Sequence, residues 1–586
     1  MGSPWWHLLA EIRIMNIEPL LKTIQFLNTR IEQKPIALHR PIMEVQVEEI
    51  LAEVLGEEVQ QEDLGNYMNR IFLFVFLGLG SLSAVNAQIY SYSNLAKSFS
   101  TAYSTSSPRM QAMGGVHSTL GADISSISGN PAGLGFYNRS EVAVGIGYVS
   151  STTESNYLSE SSSKSNSFVQ LPIFGLVLGS PAELSASQWH GSFGIGFTRQ
   201  VIFAQPISIS GVNNRSSLLD KFIEKANDKG ATGQSLDDEF NSYSKTADSP
   251  EAVAYQAYLI NPNAKTGGAP FQRYEANLPT SQLGTADNEG ALSQWDISYG
   301  ASYLNKFYLG LGLHFSKINA TSTTFWQEEF IGANNVSGLT YQEKLVNTGS
   351  GLSATLGMIY KLNSNLRVSF ALNTPMFFDQ MNERYDATLI PKVYGIPSFD
   401  SKGNPITITR VGAVKLTPNE FTYQLTTPFK LSGGAAYFFG KRGLLSLDLE
   451  YVNYTGMQVS SVELSAADNI NFENKYNGQT KKNFQSALNL KLGTEIRLSA
   501  NFNLRGGVAT WGNSYAPTYD SIDRTVFQIS GGLGYRANQF YIDLTAYQRT
   551  SKEAFTPYTM KNTADYSSAS LNLTSLQFMI GTGIYF

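Results

Sequence analysis

Residues 189–205 read WHGSFGIGFTRQVIFAQ, and the two faces of this stretch differ in chemistry. Trp189, Phe193, Ile195, Phe197, Val201 and Phe203 share one parity; His190, Ser192, Gly194, Gly196, Thr198 and Gln200 share the other. Successive side chains of an extended chain point to opposite faces, so a period of two places these sets on the two sides of one strand. Large apolar residues on one side and small or polar ones on the other fit a strand between lipid and a lumen. Outward along the chain the alternation recurs. In residues 140–150, Val142, Val144, Ile146 and Tyr148 oppose Ala143, Gly145 and Gly147.

Short turn signals then pair the candidates. Asn305-Lys306 separates 295–304 from 307–318, residues 362–365 separate 349–361 from 366–373, and residues 440–443 separate 431–439 from 444–459. Residues 499–501 separate 487–498 from 502–510, and residues 537–539 separate 526–536 from 540–549. Such turns join antiparallel neighbours, and in membrane barrels they are the periplasmic ends. With 140–150, 168–179, 189–205 and 571–586 there are fourteen strand candidates, an even number as bacterial barrels prefer. The expected fold is all-β, a 14-stranded antiparallel transmembrane β-barrel over residues 139–586.

Composition agrees. Of 586 residues only 15% are charged, 12% are aromatic and 51 are glycine. Ordinary soluble domains carry about 25% charged residues. Hydrophobic residues stop at 42% and mean hydropathy is −0.15, which excludes a bundle of transmembrane helices. The aromatic content argues against disorder. A net charge of −5 gives no basic footprint for nucleic acid. Cysteine is absent, which excludes disulfides, thiolate metal sites, a cysteine nucleophile and a lipidated cysteine. His7, His39, His117, His190 and His314 show no metal-ligand spacing, so neither metal nor cofactor is expected.

Residues 68–87, MNRIFLFVFLGLGSLSAVNA, have a basic start, an apolar run and a small-residue cleavage site at Val85-Asn86-Ala87. This pattern predicts a secretory signal peptide, with Gln88 opening the exported chain. Residues 1–67 precede it as an N-terminal extension, read as a start codon placed too early. Residues 88–138 lack strand alternation and carry a helical hint at 94–99. The longest connections, 211–291 and 374–426, are expected as external loops, the first with helix-like pieces at 217–228 and 249–260. At the other end of the chain, Leu576, Phe578, Ile580, Ile584 and Phe586 share one parity. Gly581, Ile584 and Phe586 resemble the assembly signal read by the barrel-insertion machinery, with Met579 where a polar residue is common.

The segment Arg109-Met-Gln-Ala-Met-Gly-Gly, then Asp123, then Asn130-Pro131-Ala132-Gly133-Leu134 resembles the N-terminal region of the FadL/TodX family of outer-membrane channels. Further matches run through Leu366-Arg-Val-Ser-Phe, Thr374-Pro375, Thr427-Pro428-Phe429-Lys430 and residues 448–453. The resemblance implies a barrel plugged by a small N-terminal hatch, here 88–138, with Arg109, Gly114, Gly115, Asp123, Asn130, Pro131 and Ala132 as hatch residues. Local geometry supports that: glycines at 114 and 115 allow positive φ or close approach, and Pro131 holds Asn130 extended.

The implied function is passive uptake of long-chain fatty acids or other hydrophobic small molecules across the outer membrane of a Gram-negative cell. Burying an alkyl tail stabilises by about 0.8 kcal/mol per methylene. Tyr255, Tyr258, Phe271, Tyr274, Phe377 and Phe378 are the candidate capture surface, and Arg109 is a candidate head-group partner. Gly194, Gly196 and Pro206 are the candidate lateral gap, where a kink is cheapest. The expected partners are a hydrophobic ligand, outer-membrane lipid and the insertion machinery, with the chain acting as a monomer. A related branch, PorV-like proteins, docks exported proteins in a secretion system, and the 211–291 loop suits that role too. No G-x-S-x-G nucleophile motif accompanies the histidines, so no enzyme activity is expected.

Overall fold

A computed structural model describes residues 91–101, 103, 105–179, 188–332, 335–399 and 404–586. The expected extension, the leader and residues 88–90 lie outside the described residues. Fourteen antiparallel strands form one closed wall. They are β1 (Glu141–Tyr157), β2 (Glu160–Leu178), β3 (Trp189–Ile202, resumed as Ile207–Asn213), β4 (Thr280–Tyr303), β5 (Phe307–Phe330), β6 (Val336–Lys361) and β7 (Leu366–Asn373 and Phe377–Val393). There follow β8 (Asn419–Thr426 and Lys430–Phe438), β9 (Gly443–Asn453 and Gln458–Ser461), β10 (Ser486–Arg497), β11 (Phe502–Trp511), β12 (Val526–Arg536), β13 (Phe540–Phe555) and β14 (Ala569–Tyr585). Each pairs with the next, and β14 closes on β1 from Glu141↔Tyr585 to Asn156↔Ser570. Closure pairs the strands round the whole wall, with one unpaired stretch between β2 and β3 described below.

The alternation read from the sequence sets the two faces. Trp295, Tyr299, Leu311, Leu313, Leu352 and Leu356 point outward and are exposed. Gln294, Asp296, Ser298, His314 and Thr355, of opposite parity, are buried inside. The β4–β5 turn is one residue earlier than expected: Leu304 and Asn305 take positive φ (53° and 52°), and Lys306 N–H donates to the Tyr303 carbonyl at 3.0 Å. Two left-handed residues give the twist that a tight hairpin needs.

Several strands run further than the sequence suggests. β4 begins at Thr280, inside the expected 211–291 loop, and β5 and β6 reach Phe330 and Val336. β7 crosses much of the expected 374–426 loop as Phe377–Val393. β1 and β2 meet at a turn through Leu158 and Ser159, both at positive φ. These extensions carry mostly polar residues on the outer face, while their apolar residues, such as Phe330, Leu339, Met381 and Leu389, turn inward to a buried core. Their outer face stands in water rather than lipid, so the greasy-out pattern that marks a spanning strand is missing.

Above the wall, residues 214–279 fold into a cap. Its helices are capped by side chains: Ser217 before Leu218–Asp228, Thr232 before Gly233–Asp238 and Ser249 before Pro250–Gln256. Leu218, Leu219, Phe222, Val253 and Leu259 join the core of the strand extensions. The β9–β10 connection holds one longer helix, Ala466–Asn483. Only its Phe472 and Thr480 are buried, so no amphipathic period announces it.

Candidate functional site

The segment before β1 lies inside the barrel. It opens with α1 (Tyr92–Ser100), then α2 (Pro108–Ala112), α3 (Ser125–Ser128) and a 3₁₀ turn at Pro131–Phe136. This hatch sits against a girdle of glycines. Gly300, Gly310 and Gly357 stand side by side on β4, β5 and β6. A Cβ on any of them would run into Pro131, Ala132 or Asn130. Gly493 and Gly507, paired across β10 and β11, lie against Met113, and Gly581 on β14 lies against Pro108. Wall and hatch backbones therefore touch where any side chain would hold them apart. That is a use for part of the high glycine content.

Polar anchors complete the seat. Asn130 Nδ2 donates to the Ser118 carbonyl at 2.7 Å, and its Oδ1 accepts from Ala132 N–H at 3.1 Å. Asp123 Oδ1 accepts from Ser125 N–H (3.0 Å) and Ser125 Oγ (2.7 Å), while its Oδ2 accepts from Ser107 Oγ at 2.9 Å. Gly114 and Gly115 take positive φ of 74° and 80°, and Gly114 N–H donates to Ser530 Oγ at 2.9 Å. Asp448 on β9, which opens the 448–453 match but was given no role there, accepts from the backbone N–H groups of His117 (2.9 Å) and Ser118 (3.0 Å) through Oδ2. Burial, and next Lys491, push the His117 pKa down, with Asp448 opposing. Asp448→Ala is expected to leave two buried donors without an acceptor, each costing about 1–3 kcal/mol. Amide exchange at 117 and 118 will rise in Asp448→Ala and rise less in Asp448→Asn, which keeps an acceptor oxygen.

Arg109, the candidate head-group partner, is engaged within the chain in this arrangement. Its Nε and Nη2 donate to Glu495 at 3.0 and 3.1 Å. Glu495 also accepts from Arg505 at 2.7 Å, and Arg505 donates to Asp543 at 2.6 Å. The guanidinium thus ties hatch to wall. The expected capture surface does not assemble either. Phe271 is buried in the core formed by cap and strand extensions, with Tyr255 and Tyr274 packed against that core, and exposed Tyr258 takes a φ of 58°. Phe377 and Phe378 are neighbours in one strand and so face opposite ways, Phe377 outward and exposed, Phe378 inward and buried. A different aromatic cluster forms where Tyr92 of α1 meets Phe421, Tyr423, Phe472 and Tyr476, with ring centroids 4.9–5.6 Å apart. Tyr92 Oη donates to Glu383 at 3.0 Å and Ser91 Oγ to Gln479 at 2.5 Å. These rings come from the hatch, β8 and the β9–β10 connection, so no single stretch of sequence displays the cluster.

Among the described residues the wall is interrupted between β2 and β3. β2 pairs with β3 from Leu178↔Phe193 to Ile173↔Thr198, and beyond Ile173↔Thr198 the ladder stops. Contact resumes where Ser162 Oγ donates to the Ser208 carbonyl at 2.6 Å. β3 itself breaks between Ile202 and Ile207, a stretch that contains Pro206, while its register with β4 continues on either side. Gly194 and Gly196 are not at the break. They lie in the paired region opposite Val177 and Gly175, and their missing side chains make room for Ile127 of the hatch.

Cavities lie on both sides of this interruption. A cavity of about 230 Å³ inside and one of about 470 Å³ outside share Phe168, Gln170, Arg199, Ile202 and Ala204. A further internal cavity of about 130 Å³ lies between hatch and wall, lined by His117, Asp448, Glu450, Lys430 and Lys491 among others. The internal cavities mix charged and amide side chains with apolar ones. The outer mouth is lined by Asn166, Asn288, Glu289, Lys317 and Asn319. At the chain end, Ile584 and Phe586 are exposed on the outer face, and Gly581 faces Pro108.

No protein-family model matches the chain, and no curated protein matches it. Among solved structures, the toluene transporter TodX of P. putida aligns at 12% identity over 83% of this chain and 99% of its own, with a TM-score of 0.47. A FadL homologue of Pseudomonas aeruginosa aligns at 11% identity over 82% and 99%, with a TM-score of 0.49. The toluene transporter TbuX of Ralstonia pickettii aligns at 13% identity over 82% and 99%, with a TM-score of 0.45.

Proposed function

We propose that this chain is an outer-membrane channel for passive uptake of amphiphilic or hydrophobic small molecules, long-chain fatty acids first among them. The observation that carries the proposal is the interruption between β2 and β3, with one cavity behind it and another in front. An intact wall gives a plugged cylinder no sideways exit. A gap lined by Ala204, Ile202 and Phe168 gives an apolar tail one. The seated hatch closes the straight path along the axis, so cargo entering from the long-loop end leaves sideways toward lipid. Pro206 keeps the break open, because it has no N–H for a ladder bond. The aromatic cluster around Tyr92, rather than the cap rings, is the entry surface in this reading. Residues 68–87 act as the export signal, Gly581, Ile584 and Phe586 guide insertion, and the barrel works as a monomer without catalysis or cofactor.

The test is uptake of labelled palmitate into liposomes holding the folded barrel, beside protein-free liposomes. Uptake above the protein-free rate is the expected result. No uptake from a demonstrably folded barrel overturns the proposal and turns attention to docking of exported proteins.

A further inference from the structure

The cavity behind the wall gap carries more positive charge than its surroundings balance. Four cations line it: Lys97, Arg199, Arg524 and Arg549. Arg524 is satisfied, donating to Asp520 at 2.6 Å and to Glu553 at 2.8 Å. Those two carboxylates leave two positive charges over. Arg549 donates to the Gln528 side chain at 2.8 Å and lies over the rings of Tyr103 (4.5 Å) and Trp511 (5.0 Å), but it meets no carboxylate. Its Nε is buried without a partner, as is the Nε of Arg199. Lys97 has the Tyr515 ring 5.3 Å away and no ion pair among the described residues. Cations held out of water without counter-charge are costly, and a bound anion offsets that cost. Beside the apolar side chains at the gap, the lining carries the amides of Gln170, Gln200 and Gln577 and the hydroxyls of Ser151, Thr152 and Ser575.

We propose that this cavity is an oxyanion-binding site for a phosphate-type dianion, reached through the wall gap at Arg199, which lines both the inner and the outer cavity. Guanidinium forks match phosphate oxygens in pairs, and a phosphate monoester carries nearly two charges at neutral pH. The ligand class adds to the cargo proposed above: the cations, amides and hydroxyls suit an oxyanion, while Phe168, Ile202 and Ala204 line the gap beside them. The same chemistry reaches the site from two sources, a free phosphate or the headgroup of an anionic lipid beside the barrel.

Trp511 reports on the site because it touches Arg549. The folded barrel is placed in phosphatidylcholine nanodiscs, and the emission difference between wild type and Trp511→Phe is followed. One arm titrates inorganic phosphate; the other replaces part of the lipid with phosphatidic acid and omits phosphate. A saturable change in the phosphate arm alone identifies a free ligand, in the phosphatidic acid arm alone a headgroup, and in both a shared site. Arg199→Gln combined with Arg549→Gln is expected to weaken the response at least about ten-fold, the scale of losing a charged hydrogen bond. Arg199→Gln alone breaks no side-chain bond among the described residues, so it keeps the test valid if the double variant misfolds; its expected effect is a smaller weakening. No saturable change in either arm, or variants that respond like wild type, overturns the proposal. Palmitate uptake is not a readout here, so failure of the transport reading leaves this test standing.

Discussion

Gly310→Val is expected to unseat the hatch while leaving the barrel closed. Gly310 is the middle of three glycines in register on β4, β5 and β6, and a Cβ there would collide with Ala132 N and the Pro131 carbonyl carbon. Neither side can yield cheaply. The β5 backbone is bonded on both flanks, and the Asn130 turn is fixed by its own side-chain bonds. Overpacking a core side chain typically costs about 1–3 kcal/mol, and a backbone collision is harder to relax. Once displaced, the hatch re-exposes Ile127 and Leu134, each worth about 1.5–3 kcal/mol of burial. Amide exchange across residues 117–136 will accelerate strongly, and small hydrophilic solutes will leak through the lumen. Gly506→Val is the control, because nothing lies within 4 Å of a Cβ at Gly506. Full protection of 117–136 in Gly310→Val would show that the girdle does not seat the hatch.

The spanning part of the wall was legible because lipid on one side and polar lumen on the other impose alternation that water does not. Residues 189–205 display it plainly, and the fourteen candidates correspond to the fourteen strands of the closed wall. The extensions through Thr280, Phe330 and Phe377–Val393 were missed because their outer face is largely polar and their apolar face turns inward under the cap, the reverse of a lipid-facing strand. Glycines divided the same way. Gly114 and Gly115 sit in a turn, as local geometry suggests, but Gly194 and Gly196 make way for the hatch rather than for cargo. Their partner, Ile127, is far away in sequence, and no strand pattern reveals it. Arg109 looked free because Glu495 lies hundreds of residues on. The polar internal cavity was hidden likewise, since Lys97, Arg199 and Arg549 come from the hatch and two separated strands.

Ala204→Trp is expected to close the sideways route without disturbing the fold. Ala204 lies in the break of β3 and lines both the inner and the outer cavity. β2 makes no ladder bond in this stretch, so the new ring meets open space before it meets backbone. An indole fills the passage that an alkyl tail needs, while the hatch seat on β4, β5 and β6 is untouched. Unfolding temperature and hatch exchange will match wild type, and palmitate uptake will fall to the protein-free rate.

The central claim is that cargo leaves through the wall between β2 and β3. The direct measurement is initial palmitate uptake by wild type and Ala204→Trp at equal barrel density in the same liposomes. The account predicts uptake in wild type and none above background in the variant. Equal uptake by the two proteins would contradict it and place the route elsewhere.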